Sequence, residues 1–282
     1  EELWSWWWYL NDNKEMEGHY VDGRKNGVWT WWFDSGIKQS EGHYVDDEQD
    51  GLWSYFAKDG SVAEEITFSG GKRDGRSTVW LTPEEKQEEK FYKNGKLDGP
   101  STFWENGYRS TMTTYKSDSP EGPWVIWFSN SDQIKEQGFH QKGIREGLTT
   151  YYYEDGTMQR EGFFKEGLPD GMWTYWNKEG EKDFDFDFGS GLQHISLEDL
   201  VERESTFYKL GEDTPFTGII TQENPEADYL FLGRTKGGKK DGQWVKWFPS
   251  GKDVPEIILV EVPDPEPVLP WSGGKQEQGG YK

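Results

Sequence analysis

Apolar positions along this chain fall in short clusters of rings rather than in helical stripes. GHYVDGRKNGVWTWWFDSG at 18–36 is followed by GHYVDDEQDGLWSYFAKDG at 42–60, a near-copy displaced by 24 residues. The glycine before each aromatic cluster recurs as Gly27, Gly51, Gly75, Gly99, Gly122, Gly147 and Gly171, at intervals of 24, 24, 24, 23, 25 and 24. A phase kept through seven cycles marks a repeat architecture. Nine residues upstream lies a second marker, the opening position of each cycle: Gly18, Gly42, Ile66, Lys90, Thr113, Gly138 and Gly162.

Each cycle reads as two strands. The first carries an aromatic residue two places after the opening position (Tyr20, Tyr44, Phe68, Tyr92, Tyr115, Phe164), with His140 as the exception. The second is typified by GVWTWWFDSG. Between them lie turn formers such as Asp22-Gly23-Arg24-Lys25-Asn26-Gly27, whose glycines allow positive φ and whose Asn and Asp tolerate it. Ring-rich runs of this length between turns are strand signals. The fold expected is all-β: an elongated antiparallel meander of 24-residue, two-stranded units, a solenoid-like ribbon with one short helical insertion. At about 4.8 Å per strand, eight or nine units would span roughly 80–90 Å.

The rings have their own spacing. Two places after the cluster glycine stand Trp29, Trp53, Trp124, Trp173 and Trp244; five places after it stand Trp32, Phe56, Trp127, Trp176 and Trp247. An offset of three puts these rows on opposite faces of a strand. A single-layer sheet has no second layer to cover it, so large rings packed along the ribbon are expected to bury one another, each hiding about 150–250 Å². Cross-strand aromatic pairs add a few tenths to about 1 kcal/mol each. Rings of the second row that stay accessible, Trp32, Phe56, Trp127, Trp176 and Trp247, are the candidate surface for a sugar or a protein partner.

After Gly180 the rhythm changes. DFDFDFG at 183–189 alternates, setting Asp183, Asp185 and Asp187 on one face of a strand with three Phe on the other. The bland reading is a half-buried strand with a solvated acidic face; the sharper one is a calcium site, since carboxylate oxygens suit that ion. SLEDLVERES at 196–205 reads as a short helix, with Ser196 at its amino end and an apolar stripe of Leu197, Leu200 and Val201. The organisation expected is a repeat array over 1–188, an insertion over 189–214, and a continuation of the same sheet over 215–252. Two subdomains parting near 190 are the alternative. An acidic, Pro-rich strand and tail occupies 253–282. There Ile257–Val262 could form a last strand, and Pro263, Pro265, Pro267 and Pro270 favour an extended segment. The tail is expected to cap its own sheet edge; the alternative is addition to a neighbour's edge, which open ribbons invite.

Composition narrows the partners. Rings make up 17% of the chain against 32% for all hydrophobic residues, so they supply about half of any core. With 31 basic and 53 acidic residues the formal charge is −22. Such a surface repels nucleic acid and anionic lipid and favours a basic partner. Cysteine is absent, which removes disulfides, thiolate metal sites and cysteine nucleophiles. No apolar run approaches the roughly 20 residues of a spanning helix. The opening EELWSWWWYLNDN matches only the second half of a unit and lacks an initiator Met, so the numbering is read as starting inside a longer gene product.

Candidate chemistry is sparse. His19 and His43 occupy equivalent repeat positions, which accounts for their spacing; His140 and His194 stand alone. Neither a nucleophile elbow, nor a HExxH motif, nor a phosphate loop occurs. No spacing singles out a catalytic carboxylate pair, although Glu105, Glu121 and Glu154 are among many acids. No enzyme activity and no cofactor are expected.

The pattern G-x-Y-x-x-G-x-x-x-G-x-W-x-x-Y/W-x-x-x-G, carried by 18–180 and again by 215–252, resembles the bacterial variant of the MORN repeat, in proteins often labelled YwqK-type antitoxins. The resemblance implies an all-β array used for binding or scaffolding. The leading expectation is a non-enzymatic scaffold for protein–protein interaction or assembly, in the bacterial envelope or at the cell surface, with self-assembly through sheet edges or the tail as a further route. The alternatives are a carbohydrate-binding module using the aromatic row and an antitoxin or immunity protein covering a basic toxin.

Overall fold

The structure, a computed structural model, describes residues 2–8, 12–224 and 229–247. The tail over 253–282, with its expected strand, lies outside the described residues. Contacts divide the chain into two units, Glu1–Gly191 and Leu192–Lys282.

The first unit is one sheet. Its strands are β1 (Glu2–Trp7), β2 (Lys14–Val21), β3 (Arg24–Trp32), β4 (Lys38–Val45), β5 (Glu48–Phe56), β6 (Val62–Ser69), β7 (Lys72–Trp80) and β8 (Lys86–Lys93). They continue as β9 (Lys96–Glu105), β10 (Tyr108–Lys116), β11 (Ser119–Trp127), β12 (Ile134–Gln141), β13 (Ile144–Tyr152), β14 (Met158–Lys165), β15 (Leu168–Trp176) and β16 (Lys182–Asp187). All 16 pair in chain order as an antiparallel meander that does not close. Fifteen intervals of about 4.8 Å make this ladder about 70 Å wide.

Every cycle carries the same irregularity. Glu17 pairs with Thr30 and His19 with Asn26, so β3 spends two more residues than β2 on that stretch. The extra length sits at Gly27, whose φ of 74° a side chain would strain. Successive turns are then tied together. The amides of Asp47, Gly71 and Gly167 donate to the carbonyls of Lys25, Gln49 and Arg145 at 3.0, 2.9 and 3.0 Å. Acidic side chains add a second tie: Asn94 N–H donates to Asp74 at 2.9 Å, Lys142 N–H to Glu121 at 2.7 Å, and Glu166 N–H to Glu146 at 2.9 Å. Part of the chain's acidity is therefore turn chemistry.

The core is the aromatic row itself. Trp29 packs at 6.0 Å from Trp6, 5.8 Å from Trp31 and edge-on at 5.1 Å from Tyr20; Trp53 repeats the arrangement with Trp31, Tyr44 and Tyr55. Trp29 is 0% exposed and Trp173 3%, within a sheet one layer thick. Cations complete the cover: Lys25 Nζ lies 4.6 Å from the Trp29 ring and 5.1 Å from Tyr44, and the Arg145 guanidinium lies 4.6 Å from Trp124.

The opening glycines answer to the same rings. A Cβ on Gly18, Gly42 or Gly162 would fall 2.2, 2.1 or 2.2 Å from the indole of Trp29, Trp53 or Trp173. With no Cβ in the way, each indole lies flat on the backbone. Its Nε1 donates to the next carbonyl: to His19 O at 3.2 Å, His43 O at 3.1 Å and Phe163 O at 3.1 Å. Where the second strand offers Ser77 or Ser101 instead of Trp, the facing residue is Ile66 or Lys90. Small and large exchange sides of the ladder.

The second unit departs from the expected continuation. β17 (His194–Ser196), β18 (Leu200–Arg203), β19 (Thr206–Lys209), β20 (Gly218–Asn224), β21 (Tyr229–Lys236) and β22 (Lys239–Trp247) form a four-stranded sheet in the order β17-β20-β21-β22 and a separate β18-β19 hairpin. β17 joins β20 in parallel, so the strands over 218–247 belong to their own sheet and do not extend the meander. The helix expected over 196–205 does not form. A single 3-10 turn, Leu197–Asp199, separates β17 from β18. Leu197 and Leu200 turn toward a core of Phe207, Phe216, Ile220 and Trp244, and pairing of β18 with β19 outweighs the short apolar stripe. The repeat rule survives locally: Gly233 lies beneath Trp244, whose Nε1 donates to Arg234 O at 2.9 Å.

Candidate functional site

The +5 row faces away from the buried indoles. Thr30, between Trp29 and Trp31, points to this second face and its hydroxyl donates to Glu41 at 3.0 Å. Lys38 Nζ, 2.7 Å from the same carboxylate, lies 5.7 Å from the Phe56 ring. The motif recurs with the period: Lys14–Glu17 with Trp32, and Lys86–Glu89 with Trp104. A Lys–carboxylate pair also recurs at Lys182–Asp185. The hydrogen bond from lysine is the largest influence holding the Glu17, Glu41 and Asp185 carboxyls below the ordinary carboxylate range.

Of the row singled out in the sequence, Trp32, Phe56 and Trp176 are half-buried. Trp127 is 8% exposed beneath the Arg109 guanidinium at 4.8 Å. The side chain of Trp247, at the end of β22, lies outside the described residues. Trp80 and Trp104 occupy the same offset from Gly75 and Gly99 and belong to the row as well. Lysines cover Trp32, Phe56 and Trp104, and an arginine covers Trp127, which takes those ring faces away from a flat sugar.

Asp183, Asp185 and Asp187 share one face of β16, with Phe184 and Phe186 buried on the other. Asp185 accepts from Thr174 Oγ1 at 2.8 Å and from Lys182, while Asp187 accepts from Gly189 N–H at 2.9 Å. These carboxylates hold protein donors of their own. Among the described residues no group of three or more His, Asp or Glu could hold a metal ion. The carbonyls of His19 and His43 carry the indole bonds described above; burial pushes the imidazoles of His140 and His194 below their ordinary value.

Two surface features were not foreseen. A cleft of about 560 Å³ opens at β1, lined by Glu2, Trp4, Trp6, Tyr20, Asp22 and Gly23. On the second face, the residue after each cluster glycine pairs across the ladder with the residue after the next opening position: Val28 with His43, Leu52 with Thr67, Pro123 with Phe139, and Leu148 with Phe163. Val28, Leu52, Phe139, Leu148 and Phe163 are all exposed. The signal was present in the repeat as a single apolar place between the Gly and the Trp, hidden by the heavier Trp rows.

A family model described as the MORN repeat variant matches residues 25–46 and 145–166. The two stretches start at equivalent phases, 25 and 145, and cover the β3–β4 and β13–β14 hairpins. Those hairpins are similar to the MORN module, in general a non-enzymatic β-repeat scaffold, commonly of protein or membrane interaction. No curated protein matches the chain.

Proposed function

We propose that this chain is a non-enzymatic scaffold on which other protein surfaces assemble, working in an extracytoplasmic space of a bacterium. The observation that carries the proposal is the second face of the 16-stranded sheet, where the place after the cluster glycine holds an exposed apolar residue (Val28, Leu52, Pro100, Pro123, Leu148, Met172) in six of seven cycles, Arg76 being the exception. A meander of this kind acts as a ruler, presenting equivalent side chains about 9.6 Å apart, two strand spacings, for each unit added. The formal charge of −22 supports a basic partner and disfavours anionic lipid. Sugar binding through the +5 row is disfavoured by the cations covering its rings.

Affinity capture from the source organism with the full chain as bait, alongside sedimentation of the purified chain, tests the reading. Specific capture of a protein partner, or concentration-dependent self-association, is expected, together with recovery in the extracytoplasmic fraction. A chain that stays monomeric and retains nothing above a charge-matched control would overturn the scaffold.

A further inference from the structure

The exposed apolar row is densest over β11 to β15. Five consecutive strands each place one apolar residue on it: Pro123, Phe139, Leu148, Phe163 and Met172. The pairs Pro123–Phe139 and Leu148–Phe163 stand directly opposite each other. Phe139, Phe163 and Met172 are 54, 56 and 56% exposed and Leu148 is 41%. Ile144 and Leu168 widen the patch at the turn side, with 47 and 45%. Together these side chains present on the order of 500 Å² of apolar surface, large for one face of a single chain.

The flanking charge has one predominant sign. Glu146 pairs across the ladder with Phe139, Asp170 with Phe163 and Asp187 with Met172, so a carboxylate stands opposite three of the five rungs. Lys165, opposite Leu168, is the one cation that this cross-strand pairing places among them. Neighbouring rungs are one strand spacing apart, about 4.8 Å. An α-helix laid across the strands advances about 5.4 Å per turn and presents one apolar residue per turn on its stripe. The mismatch is about 0.6 Å per rung and accumulates to about 2.4 Å over the four intervals of the row, less than half a helical turn. An added β-strand would gain no ladder bonds, because this is a face and not an edge.

Resting on the scaffold reading, we propose that the face of β11 to β15 docks a cationic amphipathic helix of a partner protein, apolar stripe on Phe139, Leu148, Phe163 and Met172, basic flanks toward Glu146, Asp170 and Asp187. The five rungs span about 19 Å, which about 15 residues of helix cover.

The probe is a labelled helical peptide of about 20 residues with Leu at the stripe positions and Lys elsewhere, titrated into the full chain by fluorescence anisotropy. Saturable binding is expected, and Phe139→Asp/Phe163→Asp should weaken it at least about tenfold even though the two added negative charges raise general attraction. Leu81→Asp, an exposed apolar residue in the bend after β7 and outside this row, should leave it unchanged. Circular dichroism of each variant separates lost binding from lost fold, and Phe163→Ser gives the same reading with no change of charge. Equal binding of a scrambled peptide of the same composition, or undiminished binding by the double variant, overturns the assignment, as does retention on phosphatidylcholine/phosphatidylglycerol vesicles without peptide binding. Should the double variant still capture partners or self-associate as wild type, this patch is refuted while the scaffold reading stands.

Discussion

Gly42 and Trp53 are a matched pair in which one residue's missing side chain is the other's seat. The indole lies where a Cβ on Gly42 would be, 2.1 Å from it, and donates Nε1 to His43 O at 3.1 Å. The chain contains the inverted solution at Ile66 and Ser77. Gly42→Ile alone should destabilise by about 3 kcal/mol or more through overpacking, and Trp53→Ser by about 3–5 kcal/mol through the lost ring. The double variant recreates the Ile–Ser pair and should cost about 1–3 kcal/mol less than the sum; denaturant titration of the four proteins measures the coupling, and strict additivity would refute the pairing. Trp124 shows what happens when the rule is broken. On the preceding strand it faces Thr113 where other cycles offer Gly, its ring turns onto Gly138 of the following strand, and its Nε1 is buried without a partner. A second residue-scale test concerns Tyr153, whose hydroxyl donates to Trp176 O at 2.9 Å and whose phenol is pushed up to about 12, chiefly by burial with Asp183 and other carboxylates adding to it. The folded state keeps this proton where the unfolded chain loses it near pH 10. The contribution is therefore complete below pH 10 and is lost as pH rises toward 12, to the extent of about 2 kcal/mol. Urea titrations between pH 8 and 11 should show a falling stability that Tyr153→Phe flattens.

At the scale of elements, hairpins are joined by their turns as much as by their strands. Glu146 accepts the Glu166 amide 20 residues on, and Glu121 and Asp74 do the same for Lys142 and Asn94. Glu146→Ala should lower stability by about 1 kcal/mol, whereas Glu154→Ala, at the opposite end of the hairpin and exposed, should stay within about 0.5 kcal/mol of wild type. Equal effects on thermal unfolding would show the turn bond to be idle. These acids read in the sequence as solubility, because composition cannot tell a carboxylate in water from one capping a neighbouring amide. The 196–205 segment failed for a related reason: Leu197, Leu200 and Val201 fit a helical stripe, yet four residues of β18 found a partner in β19, and a helix of so few turns has little stability of its own.

On the scale of the molecule, the first unit is a one-dimensional assembly whose cycles contact their immediate neighbours. Deleting residues 51–74, one whole period, should preserve the strand pairing, with native-like aromatic circular dichroism and a lower melting temperature. Deleting 51–62, half a period, puts the opening glycines out of phase with their indoles and should abolish the cooperative transition. Similar behaviour of the two deletions would exclude a phase-locked ladder.

The 24-residue period, the two strands per cycle and the self-covering tryptophans were all legible in the chain, because each depends on contacts between residues close in sequence and is written again in every cycle. The tertiary structure alone decided which rings stay accessible. Whether Trp32 or Phe163 meets solvent depends on which long side chain of another strand lies across it, and Lys14 covers the first while nothing among the described residues is stacked on the second. It also decided that β17, β20, β21 and β22 form a sheet of their own, since β17 reaches β20 in parallel across more than 20 residues, a pairing that no local period encodes.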